Sequence, residues 1–323
     1  MKLRRIFALL TFLVVGLSVS AQDLNSTIDV FNEGNQALQS GNMELALEKY
    51  QKAHEMAAKL GEEGNEIAAA AKGQIPTLYY QLGVQDYKDK NNDKAITEFQ
   101  NAIRTGEEFG DAETVQKSKD IIPKLYFAKG NDLFKENKFD EALTNYNLSA
   151  ELDPNYSRAY WGQGLTYNKL GKNDEMDAAF KKSRELAVAE GDQTLADRIN
   201  TTAKRFLQSE GTTQLQAQKW NDALKYFNAS NEYLSTDPDT FYYMALAYNG
   251  LKNWEKAAGA AQSGLDLTTA ESNDVKAKFY FEMGNAYKGA GDNAKACEAY
   301  GNAKFGKFVE NATYELTTVL KCN

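Results

Sequence analysis

The sequence predicts an all-α protein, an α-solenoid of about seven helix pairs with a capping helix at its C-terminal end, and three observations carry that expectation. Seven segments repeat one pattern: an apolar stripe, a glycine, a polar turn, then Ala-x3-Tyr/Phe-x2-Ala/Ser. Within the first half of each segment apolar residues recur at i, i+3 and i+7, one face of a helix, as in Tyr280, Met283 and Tyr287. Only 4 prolines occur in 323 residues, which suits a chain that is mostly helix.

Taken in order, the glycine-like positions are Gly34, Gly83, Gly130, Gly164, Gly211, Ala245 and Gly284. The small residue of the second half is Ala46, Ala95, Ala142, Met176, Ala223, Ala257 and Ala296. The bulky residue after it is Tyr50, Phe99, Tyr146, Phe180, Phe227, Ala261 and Tyr300, followed by Ala53, Ala102, Ser149, Ser183, Ser230, Gly264 and Ala303. Met176, Ala261 and Gly264 depart from the pattern. Small residues are needed where two helices of a pair cross closely, and the aromatic fills the gap beside the crossing. Polar turns such as Gly41-Asn42, Asn91-Asn92, Gly171-Lys172-Asn173 and Gly291-Asp292-Asn293 stop one helix and cap the next. One pair cannot cover its own apolar face, so the pairs must stack.

The pattern resembles the tetratricopeptide repeat, a helix–turn–helix unit of 34 residues, and Asp153-Pro154 closes its repeat as that family's proline does. Repeats start near residues 27, 76, 123, 157, 204, 238 and 277, and the resemblance covers nearly all of residues 22–323. Length alone suggests about two domains at roughly 150 residues each; the continuous repeat predicts one. Three intervals between glycine-like positions carry inserts, Gly61–Ile75, Gly110–Ile122 and Gly191–Ala203, rich in Ala, Glu, Lys and Gln. They read as extra turns at the start of the first helix in repeats two, three and five. Pro76 and Pro123 then fall inside long helices, where a kink or break is expected. Residues 308–321 carry an apolar face (Phe308, Ala312, Leu316, Val319, Leu320) suited to a capping helix.

Residues 1–21 read as an export signal. Lys2, Arg4 and Arg5 precede an apolar run from Ile6 to Val15, and Val19-Ser20-Ala21 places cleavage between Ala21 and Gln22. The residue directly after that point is Gln22 and not a cysteine, so a lipoprotein anchor is not expected, and no later run is long and apolar enough to span a membrane. The resemblance to signal-bearing repeat proteins of Gram-negative bacteria implies a periplasmic location, with secretion as the alternative. The full chain carries a net charge of −8, and loss of three basic residues with the signal leaves the mature chain more acidic still. That balance argues against nucleic acid or anionic lipid as the main partner.

Cys297 and Cys322 are the only cysteines. In an exported chain they predict a disulfide between the last helix pair and the cap. One histidine, His54, excludes a histidine-based metal or catalytic set, and no metal or cofactor is expected. Asp89-x-Asn91-x-Asp93 opens like a calcium loop but continues with Lys94 and Gln100 where glycine and glutamate are needed. Gly162-x-Gly164 has Tyr167 in place of a third glycine. Glu62-Glu63 and Glu107-Glu108 are helix-end carboxylates. Asn25, Asn147, Asn200, Asn228 and Asn311 head chance glycosylation sequons. No nucleophile stands beside an activating base, so the chain reads as a non-enzyme.

In the resembled family ligands lie against the first helix of each pair. The matching positions here hold Phe31, Asn35 and Leu38, then Tyr80, Val84 and Tyr87, then Lys124, Phe127, Asn131 and Phe134. Arg158, Trp161, Leu165 and Asn168 follow, then Arg205 and Gln208, then Tyr242, Leu246 and Asn249, then Lys278, Phe281, Asn285 and Lys288. Aromatics interleaved with amides suit an extended peptide or helix, and packing between successive first helices would claim the same rings. The resemblance therefore implies a scaffold or adaptor for a protein or peptide partner. A glycan- or small-molecule-binding envelope component is the alternative. The family's lysine–asparagine clamp for a terminal carboxylate is absent, since Phe31 accompanies Asn35 and Phe127 accompanies Asn131.

Overall fold

The computed structural model describes residues 22–268 and 270–322; the expected signal segment lies outside them. Fifteen α-helices and no strand occur among the described residues. The chain divides into two compact units, Met1–Gly162 and Gln163–Asn323. Seven helix pairs run through the chain: α1 (22–39) with α2 (Met43–Lys59), α3 (Asn65–Lys88) with α4 (Asn92–Phe109), and α5 (Ala112–Lys135) with α6 (Phe139–Leu152). Next come α7 (Ser157–Lys169) and α8 (Asn173–Glu190), α9 (Gln193–Gln216) and α10 (Trp220–Tyr233), and α11 (Pro238–Gly250) and α12 (Trp254–Asp266). The last pair is α13 (Asn273–Ala290) with α14 (Asn293–Asn302), and α15 (Val309–Tyr314) follows it. The all-α repeated architecture is as the sequence predicts.

Close crossing explains the glycines. A methyl group at Gly130 would lie 2.7 Å from the Tyr146 ring, and one at Gly211 would lie 2.5 Å from that of Phe227. Both rings are buried. The sixth pair lacks an aromatic because Ala261 stands in its place, yet no gap opens. Phe279 enters from α13 and is wholly buried, and a methyl group on Gly264 would overlap its ring. Two departures in α12 are thus matched by one ring from the next repeat. At the other end the exposed Asp29 stands in α1 where later first helices bury Leu78, Leu125 and Phe279.

The inserts correct the expectation. α3, α5 and α9 are 24 residues long against 13 for α7 and α11, but the helices before them also grow. α2, α4 and α8 reach 17, 18 and 18 residues against 14 for α6 and α10. An added turn at the start of one helix runs antiparallel to the end of its predecessor, and neither can bury an apolar side alone. The close approach of Gly106 in α4 to Val115 in α5 shows them meeting. The prolines do not break their helices: α3 continues through Pro76 and α5 through Pro123. Ile75 and Leu78, and likewise Ile122 and Leu125, are buried on either side, and this packing offsets the lost backbone bond.

The cap is also less regular than expected. It runs as a 3-10 turn (Gly306–Phe308), α15, and a π-turn (Glu315–Val319). Phe308 and Ala312 are buried, and Leu316 and Leu320 pack on Ala296 and Tyr300, but Val319 is 46% exposed. The wider π spacing rotates Val319 off the apolar face. Cys297 and Cys322 form the expected disulfide, with Cα atoms 5.9 Å apart.

Candidate binding groove

The residues matching the resembled family's ligand positions lie on the first helices of the pairs, and neighbouring first helices touch: α3 meets α5, α9 meets α11, and α11 meets α13. In the first unit three aromatics on this face, Phe31, Tyr80 and Phe127, lean on the buried ring of their own pair. Phe31 lies 5.3 Å from Tyr50, Tyr80 5.4 Å from Phe99, and Phe127 5.7 Å from Tyr146 between ring centroids. Phe127 also meets Tyr156 edge-on. The three side chains are half-buried, so the two readings of these rings combine: one edge packs and the other faces out. Tyr87 and Lys124 are exposed, as is Arg158, whereas Trp161 is buried and offers little surface. Leu38, Val84 and Phe134 are half-buried, and a shallow pocket of about 380 Å³ opens beside Tyr80 and Val84.

The asparagines have a second use that sequence reasoning missed. The Tyr50 hydroxyl donates to Asn35 Oδ1 at 2.7 Å, Tyr146 to Asn131 at 2.9 Å, and Tyr300 to Asn285 at 2.7 Å. Burial pushes all three phenol pKa values up, which keeps them donors. The signal was legible. The residue after the glycine-like position is Asn where the pair's ring is Tyr, and Val84, Leu165, Thr212 or Leu246 where it is Phe or Ala. These amides satisfy a buried hydroxyl first.

In the second unit the face is more polar and more tied together. Gln208 Nε2 donates to Asp237 Oδ2 at 3.0 Å, and Lys204 pairs with the same carboxylate at 2.7 Å. Burial alone would raise the Asp237 pKa, but Lys204, Thr240 and Gln208 together hold it below the usual carboxylate value. Tyr242 meets Phe279 edge-on, the ring that replaces the missing aromatic of its own pair. Its phenol is pushed up to about 12, chiefly by burial and then by Glu282. Lys278 lies over the Tyr242 ring and pairs with Asp239. Phe281 packs on Tyr300 and Phe308, and Lys288 reaches Glu315 at 2.7 Å. Asn168 and Leu246 are half-buried, and Arg205 is exposed with its guanidinium over Phe206.

Glu282 organises this end of the face. It is buried, and its Oε2 accepts from Asn249 Nδ2 at 2.8 Å and from Asn285 Nδ2 at 3.2 Å. Burial raises its pKa, although both amides oppose the shift. A raised folded-state value favours the neutral carboxyl, so this contribution to stability is full below the unfolded pKa and is lost as pH rises through the folded one. Glu282→Gln keeps the acceptor and cannot ionise. Thermal midpoints followed between about pH 4 and pH 8 are expected to fall for the wild type relative to this variant; parallel curves would refute the assignment.

Residues 130–171 match the family model described as TPR repeat, and residues 157–187 match the one described as tetratricopeptide repeat. Residues 130–187 carry tetratricopeptide repeats. The matched stretch takes in the glycine crossings at Gly130 and Gly164. Among solved structures the repeat chain is similar to MamA protein (18% identity, 62% of this chain and 96% of that one, TM-score 0.36). It is also similar to the TPR2AB domain of yeast Sti1 in its pHSP90 complex (16%, 92% and 97%, TM-score 0.32). A third is a tetratricopeptide repeat protein from Parabacteroides merdae (14%, 93% and 100%, TM-score 0.30).

The repeats hold no cluster of His, Cys, Asp and Glu side chains placed for a metal ion among the described residues, and no described helix is long and apolar enough to cross a membrane. His54 Nδ1 lies 3.2 Å from the Ala68 carbonyl oxygen and its ring packs on Phe109, a contact between α2 and the inserted turns.

Proposed function

We propose that the protein is a non-catalytic scaffold that binds a protein or peptide partner along the first-helix face, and that it works in the bacterial cell envelope. The observation that carries this reading is the row Phe31, Tyr80 and Phe127, each oriented by its own buried partner ring and each keeping an open edge. Preoriented aromatics bind at low entropic cost, and the exposed Tyr87, Lys124 and Arg158 supply the adaptable and charged contacts beside them. Export with cleavage after Ala21 is supported by the Cys297–Cys322 disulfide, which persists in oxidising compartments.

A photo-crosslinking residue at Tyr87 or Lys124, expressed in the native host, is expected to capture a discrete protein, while the same residue at Glu141 on a second helix captures none. Equal capture from both faces, or none from either, would count against the groove. N-terminal sequencing of the mature protein is expected to begin at Gln22.

A further inference from the structure

α8, α9 and α10 duplicate α4, α5 and α6. Their lengths are the same, 18, 24 and 14 residues. Each helix of the later set begins 81 residues after its counterpart, at Asn173 against Asn92, Gln193 against Ala112, and Trp220 against Phe139. The two sets differ in how they treat the space between their three helices.

In the second unit that space is closed from within. Tyr233 is buried there, with its hydroxyl donating to Asp177 Oδ1 at 2.8 Å. The Arg184 guanidinium lies over the ring at 4.7 Å and donates to the Glu232 carbonyl at 3.0 Å. Lys181 bridges Asp177 at 3.0 Å and Glu232 at 2.8 Å. The counterparts in the first unit are Leu152 for Tyr233, Ile103 for Arg184, Gln100 for Lys181 and Ile96 for Asp177. Of the set, only the glutamate is kept, as Glu151.

The result is an open hollow of about 440 Å³ between α4, α5 and α6, walled by Ile103, Ile122, Tyr126, Leu148 and Leu152. Leu152 is 53% exposed. At the mouth Lys119 is already paired with Glu107 at 2.7 Å, whereas Glu151 has no ion pair among the described residues. Relative to its duplicate the hollow lacks the Tyr233 ring and both cations, Lys181 and Arg184, carries Tyr126 on its wall where the duplicate has Leu207, and keeps the carboxylate that Lys181 meets. It also lacks a buried acceptor for a phenol, since Ile96 replaces Asp177.

We propose that this hollow is a second docking site, separate from the groove, for a partner polypeptide presenting a phenylalanyl side chain next to a lysine or arginine. The ring fills the apolar walls and the cation meets Glu151. Charge complementarity and the occupant of the duplicate site both specify this chemistry.

The test uses the full mature chain and the probe Ac-Phe-Lys-NH2, read by saturation-transfer NMR, with affinity expected in the millimolar range. Ring protons of the probe should receive saturation, and Ac-Phe-Glu-NH2 should bind about two- to five-fold more weakly. Glu151→Gln should erase that preference. Leu152→Tyr with Ile103→Arg transplants the filling of the second unit and should abolish the signal; Leu148→Trp fills the same space should the first pair disturb folding. The proposal is overturned by unchanged binding in the filled variants, by no binding to the wild type, or by equal binding of the two peptides. Concentration-dependent self-association lost in Phe305→Ser would also overturn it, by assigning the hollow to a second copy whose exposed Phe305 follows Lys304.

Discussion

Phe279→Ala is expected to cost the second unit about 3–5 kcal/mol, the range for removing a fully buried aromatic. The reason is local. In four other repeats the first-helix aromatic leans on a ring from its own second helix, but in the sixth that ring is missing and Tyr242 leans on Phe279 instead. Gly264 makes room for it. Truncation would leave Ala261, Gly264 and Tyr242 facing a void that α12, itself short and built of small residues, cannot close. Denaturant unfolding of the single variant against wild type measures this. A loss under about 1 kcal/mol would show that α13 collapses onto α12 and that the ring is not a substitute core residue.

Removing the disulfide is the second large effect. Cys297 and Cys322 are 25 residues apart in sequence and tie the cap to α14. Closing that loop limits the unfolded chain by about 3 kcal/mol in the loop-entropy treatment. The cap is short, ends in a π-turn and leaves Val319 and Tyr314 in solvent, so few contacts would hold it without the bond. Cys297→Ser with Cys322→Ser, or mild reductant, is therefore expected to lower the thermal midpoint and to speed amide exchange first in residues 306–322. Identical exchange in oxidised and reduced protein would mean that Phe308 and Ala312 alone secure the cap.

Much of the fold was legible because it rests on local rules. Glycine beside a buried ring, small residues at crossings and polar turns all recur in phase, and each has one physical use. The inserts were less legible. Their helix-forming composition shows that turns are added, but antiparallel packing decides how they are shared between α4 and α5. Proline at 76 and 123 predicts a kink or a break from local chemistry, and both helices continue through it with buried neighbours on either side. On the first-helix face Phe31, Tyr80 and Phe127 are half-buried and Trp161 is buried, a difference that packing decides, and the roles of Asn35, Asn131 and Asn285 depend on a tyrosine fifteen residues away. Glu282, one acid in an aromatic run, gave no hint that two amides would surround it.

From its order of residues alone this chain establishes that it is helical, that it repeats, where the pairs cross and which cysteines join. Those properties depend on spacing along one helix or between two consecutive ones. Only the tertiary structure decides that Phe279 serves the repeat before its own, that three groove amides are occupied, and that one of two duplicate hollows is filled while the other is open. Those outcomes depend on volume and hydrogen-bond satisfaction among residues brought together from different repeats, and neither quantity is written in the period of a sequence.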